Sequence, residues 1–281
     1  MSISEILSQQ RIHRLPNGVA YGLTDVGLVR ANNEDSFLID AELGLVMVSD
    51  GMGGHESGEV ASASALFAVR NYLHEALSAP TDLDATSIVS STSHIDPDAT
   101  QPDMALPSVV LLAAAVQHAN AQLYAQNVSS HIDDGTGMGT TLTGFWQPGP
   151  QAPCTIFHVG DSRMYCYRNG DFTQLTHDHT LYQQVLDLGA TENLPPRNIV
   201  LQAVGPDEQV NPDIHAYEVE IGDLLLLCSD GLHGSVSDAE MRELVANATP
   251  DSIGHCCARL IALAKEHGSA DNITVVIAQV G

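Results

Sequence analysis

The sequence is poor in positive charge. Its 281 residues include 10 lysine and arginine residues against 35 aspartate and glutamate residues, which gives a formal net charge of -25. Lys265 is the sole lysine. Nucleic acids and anionic membranes bind proteins largely through clustered lysine and arginine, so this balance argues against both as partners. The acidic excess indicates a function only if many carboxylates converge, because converging carboxylates require cations.

Cysteine pairs and long apolar runs are also lacking. The five cysteines form no Cys-x-x-Cys pair and their number is odd, so the sequence predicts neither a disulfide framework nor a zinc site. No run approaches the ~18 to 20 apolar residues of a membrane-spanning helix. Residues 1–16 lack the pattern of a secretory signal peptide. We therefore expect a cytoplasmic protein that acts as a monomer.

The spacing of apolar residues predicts a single α+β domain over residues 1–281. Short strand patterns between residues 19 and 48 give way to a helical pattern over residues 57–77, and a second helix is predicted over residues 108–127. Residues 78–107 are rich in Ser, Thr, Asp and Pro, which is typical of a solvated insertion. Further strands are predicted at 142–146, 155–159, 164–168, 172–175, 217–220, 224–228 and 273–279, and further helices at 238–247 and 251–267.

Three of the predicted strands lead into an aspartate. Two apolar strands end in Ser-Asp-Gly, at Asp50 and Asp230, and a third ends in Gly-Asp, at Asp161. Each strand places a carboxylate just beyond its buried end, where a sheet holds it rigidly. Aspartate beside glycine is also common in turns, so each of these residues taken alone has a turn as its alternative explanation.

Two more aspartates precede strands. Asp35 precedes residues 36–40, and Asp271 precedes the last predicted strand. If residues 36–40 and 45–49 form a hairpin, Asp35 and Asp50 lie side by side at its open end. All five aspartates are then expected on one rim. Carboxylates within ~6 Å of one another repel unless cations lie between them, and oxygen ligands without histidine favour Mg²⁺ or Mn²⁺.

Glycine and arginine residues flank the predicted acidic cluster. Residues 50–55 (Asp-Gly-Met-Gly-Gly-His) contain three glycines, which let the backbone approach an ion and offer a carbonyl oxygen. Arg30 is the one cation beside Glu34 and Asp35, and its planar guanidinium is suited to bidentate binding of a phosphate. A surface ion pair is the alternative for Arg30.

These residues lie in ordered motifs that resemble the metal-dependent protein phosphatases, the type 2C serine/threonine phosphatases, and specifically their bacterial branch. The matching motifs span nearly the whole chain, at residues 24–30, 33–35, 50–55, 139–141, 160–163, 175–179, 229–232 and 271–274. The resemblance implies a four-layer α-β-β-α sandwich, in which helix pairs flank two antiparallel sheets and the metals lie at one end of the sheets. It also implies that residues 176–205 form a flap over the active site.

The resemblance implies a centre of two Mn²⁺ or Mg²⁺ ions and assigns the acidic residues to it. The implied metal ligands are Asp50, which bridges the two ions, the Gly51 carbonyl on the first ion, and Asp230 and Asp271 on the second. Asp161 with Asp230 would form a third ion site. Asp35 and Glu34 would hold metal-bound waters.

The implied reaction is hydrolysis of phosphoserine or phosphothreonine in proteins by a metal-activated water, without a phosphoenzyme intermediate. Arg30 would hold the substrate phosphate. Met52 stands where the animal enzymes have histidine, so the general acid is either His55 or a metal-bound water; alternatively, His55 only orders its loop. The implied partners are phosphorylated proteins, including a serine/threonine kinase or its targets.

Two other functions fit parts of the sequence. A scaffold module that keeps the fold without turnover is expected to have lost a metal ligand, yet Asp50, Asp230 and Asp271 are all present. A metal-dependent nuclease or a hydrolase of small phosphoesters would use similar metals, but basic residues along a groove are expected of a nuclease. The sequence therefore favours the phosphatase.

Overall fold

The computed structural model describes residues 10–53, 57–78, 107–130 and 137–281. Within these ranges the chain alternates short strands with helices. The strands are β1 (His13–Leu15), β2 (Gly18–Asp25), β3 (Asp35–Asp40), β4 (Leu45–Met52), β5 (Gly139–Thr140), β6 (Leu142–Trp146), β7 (Cys154–Val159), β8 (Arg163–Arg168), β9 (Asp171–Gln174), β10 (Asp213–Tyr217), β11 (Leu224–Cys228) and β12 (Ile273–Val280). The helices are α1 (Ser57–Ser78), α2 (Pro107–Ser129), α3 (Leu181–Asp187), α4 (Asp230–His233), α5 (Asp238–Val245) and α6 (Ile253–Glu266).

The strands form two sheets in which the neighbouring strands are antiparallel. The first sheet has the order β1-β2-β12-β11-β8-β9, and the second has the order β10-β7-β6-β4-β3, with β5 added beside β4. Helices α1 and α2 pack on the outer face of the second sheet, and α5 and α6 pack on the outer face of the first. This arrangement confirms the predicted α+β sandwich of two antiparallel sheets between helices.

The central strands are apolar along their length because both of their faces are buried. In β4, Leu45 and Met47 face the helices, whereas Val46 and Val48 enter the layer between the sheets. In β11, Leu224 and Leu226 likewise face α5 and α6, and the alternate leucines enter the inter-sheet layer. Successive side chains of a strand point to opposite faces, so a strand covered on both sides requires a continuous apolar run.

Most of the predicted elements agree with the structure, and the strand predicted at 217–220 is wrong. The observed strand β10 ends at Tyr217, which pairs with Cys154, the first residue of β7. Residues 218–220 would continue the register opposite Pro153, which has no N–H to donate, and they lie in no strand, although their sequence alternates as in a strand. The proposed insertion at 78–107 lies almost entirely outside the described residues. In the described ranges no helix has the length and apolar character needed to cross a membrane.

Candidate metal centre

The first two aspartates meet at the open end of one hairpin. Strands β3 and β4 are antiparallel, and Asp35 lies directly opposite Asp50 in their register. The backbone N–H of Asp50 donates to the Thr141 hydroxyl at 2.8 Å. The Asp35 carboxylate accepts a hydrogen bond from the Ser229 hydroxyl at 2.6 Å. The hairpin predicted from residues 36–49 is confirmed, and it fixes both carboxylates in place.

The other three aspartates reach the same place from different strands. Asp161 follows β7 of the second sheet, whereas Asp230 follows β11 and Asp271 precedes β12, which are both in the first sheet. The expected rim is therefore not the edge of one sheet, because the carboxylates come from the adjoining ends of two sheets. A cavity of about 270 Å³ lies there, and its wall includes Arg30, Glu34, Asp50, Gly51, Asp161, Asp230 and Asp271.

Among the predicted site residues, Asp35 does not line this cavity and His55 cannot be placed. Asp35 is 5 % exposed and lies behind the wall, paired with Asp50. His55 lies outside the described residues, so its suggested part as general acid stays a prediction. The cavity wall also includes Asn198 and Val200 from the segment 176–205.

The segment 176–205 is anchored at both ends beside the cavity. Near its start, Asp178 forms a bidentate ion pair with Arg163, with Arg163 Nη2 at 2.7 Å from Asp178 Oδ2. Near its end, Val204 and Thr140 exchange two backbone hydrogen bonds. The segment therefore has fixed ends and contributes to the cavity wall between them. Its action as a flap stays a prediction.

Burial and mutual repulsion make the carboxylates costly to ionise. Burial, followed by the charge of nearby carboxylates, raises the pKa of Asp161 to about 7 and that of Asp230 to about 6. Burial also raises the pKa of Asp35 to about 7, and burial with the charge of Asp35 raises the pKa of Asp50 well above its usual value. Four such groups remain charged together near neutral pH only if cations balance them.

The chemistry of these groups fits divalent cations. Asp35 Oδ1 and Asp230 Oδ1 are buried oxygens without a hydrogen-bond partner among the described residues. Buried carboxylate oxygens are normally paired with a donor or a cation, so these two atoms suit ion binding. Apart from the Met52 thioether and the nitrogen groups of Arg30, Asn198 and Asn272, the polar atoms of the side chains that line the cavity are oxygens. Such a donor set favours Mg²⁺ or Mn²⁺ over Zn²⁺.

Arg30 shapes the arrangement of the acidic groups. Its Nη2 lies 2.7 Å from Asp271 Oδ2, so the guanidinium balances that carboxylate. In the part of the chain that the structure describes, no three His, Cys, Asp or Glu side chains stand in the geometry of a ready ion site. The assignment of individual metal ligands therefore stays a prediction.

Buried serines and threonines support the centre, and none of them is among the site residues predicted from the sequence. The serines of the two Ser-Asp-Gly motifs act differently: Ser229 donates to Asp35, whereas Ser49 donates to the Thr141 carbonyl at 2.7 Å. The Thr140 hydroxyl donates to the Asp50 carbonyl at 2.8 Å. The signal available in the sequence was the serine that precedes Asp-Gly in both motifs. A buried hydroxyl group can donate a hydrogen bond to a nearby carboxylate or carbonyl group and so hold it in place.

Comparison with known proteins identifies the family. The model of the family described as Protein phosphatase 2C matches residues 29–252. The serine/threonine protein phosphatase PstP of Mycobacterium tuberculosis is 36% identical over 262 residues, which are 92% of this chain and 44% of PstP. This chain thus spans less than half the length of PstP. The serine/threonine phosphatase stp of Listeria innocua is 32% identical over 266 residues, which are 91% of this chain and 93% of stp.

A solved structure extends the similarity to the fold. This structure is the catalytic domain of PstP in complex with two manganese ions. It superposes on this chain with a TM-score of 0.70 at 34% sequence identity, and the superposition covers 93% of this chain and 97% of that chain. The resemblance indicated by the motifs is thereby confirmed over most of the sequence. The chain belongs to the protein phosphatase 2C family.

Proposed function

We propose that this chain is a metal-dependent protein serine/threonine phosphatase that hydrolyses phosphoserine and phosphothreonine in proteins. The observation that carries the proposal is the single cavity in which Arg30 stands among the carboxylates of Asp50, Asp161, Asp230 and Asp271. Such a cavity combines sites for cations with a group that binds phosphate. Membership of the protein phosphatase 2C family, and relatives named serine/threonine phosphatases, support the choice of substrate.

The acidic residues would hold the cations. The proposed ligands of two Mn²⁺ or Mg²⁺ ions are Asp50, the Gly51 carbonyl, Asp230 and Asp271. Asp161 with Asp230 is the proposed third site, and Glu34 and Asp35 would hold waters at the centre. When bound there, the cations supply a water that is acidic enough to become a nucleophile near neutral pH, and positive charge next to the phosphate.

Arg30 is placed to bind the substrate phosphate. Its side chain is 48% exposed and its guanidinium reaches the cavity wall through Asp271. An exposed ion pair contributes only about 0–1 kcal/mol, so exchanging this carboxylate for a phosphate oxygen costs little. The planar guanidinium can then donate two parallel hydrogen bonds to the phosphate, and it stabilises the charge that develops on the oxygens during attack. No residue needs to form a covalent bond to phosphorus.

The expected partners are phosphorylated proteins, including a serine/threonine kinase or its targets. The cavity wall includes Arg30 and two residues of the segment 176–205, so a substrate that enters the cavity would contact both. In a chain of net charge -25, Arg30 is the only Lys or Arg side chain on the cavity wall that the structure describes. The phosphate group is therefore the part of the substrate for which this chain offers a specific charged partner.

The function is tested by measuring phosphate release from a phosphothreonine peptide. Protein stripped with EDTA is assayed with and without Mn²⁺ or Mg²⁺, as wild type, as Asp230→Asn, and as the control Asp251→Asn, whose side chain is exposed in the turn before α6. We expect metal-dependent release by the wild type and the control, and a loss of about 100-fold or more in Asp230→Asn. No release by folded, metal-loaded wild type would favour the non-catalytic scaffold.

A further inference from the structure

Asn272 is a buried residue of the Asp-Asn motif for which the proposed chemistry has no task. Its side chain is 3 % exposed and makes three hydrogen bonds. Asn272 Nδ2 donates to the carbonyl oxygens of Val26 at 3.0 Å and Asn32 at 2.9 Å, and Asn272 Oδ1 accepts from the backbone N–H of Glu34 at 2.8 Å. All three partners belong to one loop, residues 26–34, near the other end of the chain.

This loop carries Arg30 between the points that Asn272 holds. Val26 precedes Arg30, and Asn32 follows it, so one amide group ties together both arms of the loop. The Arg30 guanidinium extends from the loop to Asp271, the neighbour of Asn272 in sequence. The place of the guanidinium at the cavity therefore depends on a loop that is attached to the motif through Asn272.

Gly27 brings the same loop into direct contact with the motif. Its φ of +78° is a conformation that favours glycine, and a Cβ atom at this position would lie 2.2 Å from the Asp271 carbonyl oxygen. The Gly27 N–H donates to the Asp25 carboxylate at 2.8 Å, and Lys265 pairs with that carboxylate at 2.9 Å. The loop thus has one close-fitting position against residues 271–272.

Only a side-chain amide satisfies the three backbone groups. Two carbonyl oxygens need donors and one N–H needs an acceptor, and at this length asparagine alone supplies both. An aspartate would place an acceptor against two carbonyl oxygens, and an alanine would leave all three groups without these partners. Without these three hydrogen bonds the loop is no longer tied to residue 272 and can adopt other conformations, which would move Arg30.

We infer that Asn272 is a positioning residue for phosphate binding, because it holds the Arg30 loop in the conformation that aims the guanidinium at the cavity. The inference rests on the proposed function, since it takes Arg30 as the phosphate ligand. Although Asn272 is part of the cavity wall, its Nδ2 group donates both of its hydrogen bonds to the loop. Its effect on catalysis passes through Arg30, and this dependence distinguishes it from a residue that merely stabilises the fold.

The chain offers a closely matched control. Asn120 in α2 is also buried, donates to the carbonyl oxygens of Asp207 at 3.0 Å and Glu208 at 3.1 Å, and accepts from the Gly205 N–H at 2.8 Å. It therefore fixes another loop with the same three hydrogen bonds, but that loop does not carry Arg30. Asn120→Asp and Asn272→Asp make the same chemical change in two different loops.

The kinetic test is a double-mutant cycle. Asn272→Asp, Asn272→Ala and Asn120→Asp are each made in the wild type and in Arg30→Ala, and kcat/KM for a phosphothreonine peptide is measured at a Mn²⁺ concentration that saturates the wild type and at higher concentrations. We expect the Asn272 variants to lose about tenfold or more in the wild type and little further in Arg30→Ala, because no guanidinium is left to misplace. Any loss from Asn120→Asp should be the same in both backgrounds.

Equal losses from Asn272→Ala with and without Arg30 would overturn the inference. So would a loss that higher Mn²⁺ restores completely, since Asn272 would then serve the metal ligands. Hydrogen exchange of a peptide covering residues 26–34 gives a readout that needs no turnover: it should be faster in Asn272→Ala and unchanged in Asn120→Asp. An inactive wild type would refute the proposed function, whereas unchanged exchange in Asn272→Ala would refute the positioning.

Discussion

Protonation of His158 in acid should weaken the fold next to the centre. His158 lies in β7, close to Asp161, and is 1 % exposed. His158 Nδ1 and the Thr143 hydroxyl share a hydrogen bond of 2.8 Å. His158 Nε2 is buried and has no hydrogen-bond partner among the described residues. The centroid of its ring lies 4.8 Å from that of the His179 ring, near the start of segment 176–205.

The size of the effect follows from the pKa of His158. Burial, and next the nearby His179, lower this pKa to about 3, whereas the unfolded chain has a histidine pKa of about 6.5. The unfolded state therefore binds a proton that the folded state does not, and the folded state loses stability as the pH falls below about 6.5. At pH 5 the loss from His158 amounts to about 2 kcal/mol, and at pH 8 it is absent.

Urea unfolding measures this loss as a difference between variants. The free energy of unfolding is determined at pH 8, 7, 6 and 5 in EDTA for wild type, His158→Asn and the exposed control His255→Asn. Asparagine keeps a donor near Nδ1 and does not titrate. The wild type should lose about 2 kcal/mol relative to His158→Asn between pH 8 and 5. The raised pKa values of the acidic centre act in the opposite direction, but they are common to both proteins. Parallel curves would refute the reasoning.

Two further substitutions test the flap anchor and the general acid. Asp178→Asn leaves the buried guanidinium of Arg163 unpaired, so we expect the free energy of unfolding in urea to fall by about 3–5 kcal/mol. The exposed control Asp187→Asn, which removes an ion pair with His177, should leave the free energy of unfolding nearly unchanged, and equal losses would contradict a buried anchor. His55→Ala should lower turnover of a phosphothreonine peptide more than that of nitrophenyl phosphate, whose leaving group needs no proton; equal losses would exclude His55 as general acid.

The sequence predicts contacts best where they are local. Asp35 and Asp50 were expected to pair because a short turn joins their strands, and the register confirms this. The strands next to Asp230 and Asp271 belong to the other sheet. The pattern of apolar residues within one segment does not indicate which sheet that strand joins. The convergence of all five aspartates was expected from their places at the starts and ends of strands, but these local patterns did not assign the strands to two sheets.

The helix α4 shows why a turn motif is ambiguous. Asp-Gly at residues 230–231 is equally typical of a turn, but Asp230 begins a short helix after Ser229. The helix is only four residues long and has no apolar period of its own, so the sequence could not indicate it. Likewise α3 buries no residue fully and was not predicted. Both elements depend on contacts with distant segments, which a local pattern does not contain.

A layer of buried hydroxyl groups separates the apolar core from the acidic centre. The space between the sheets is lined by side chains such as Phe37, Val48 and Leu227, where an ionised carboxylate would be strongly disfavoured. At the strand ends the side chains change to serine and threonine, and Thr141 and Ser162 share a hydrogen bond of 2.7 Å there.

Hydroxyl groups suit this boundary because they donate hydrogen bonds without adding charge. Ser229 donates to one oxygen of Asp35 and leaves the other, Oδ1, without a protein partner. A lysine or arginine in the same place would neutralise the carboxylate and compete with a metal ion for it. The scarcity of basic residues that marks the whole sequence therefore suits the centre: a neutral donor holds Asp35 and leaves its charge available to a cation, whereas Arg30 pairs with Asp271.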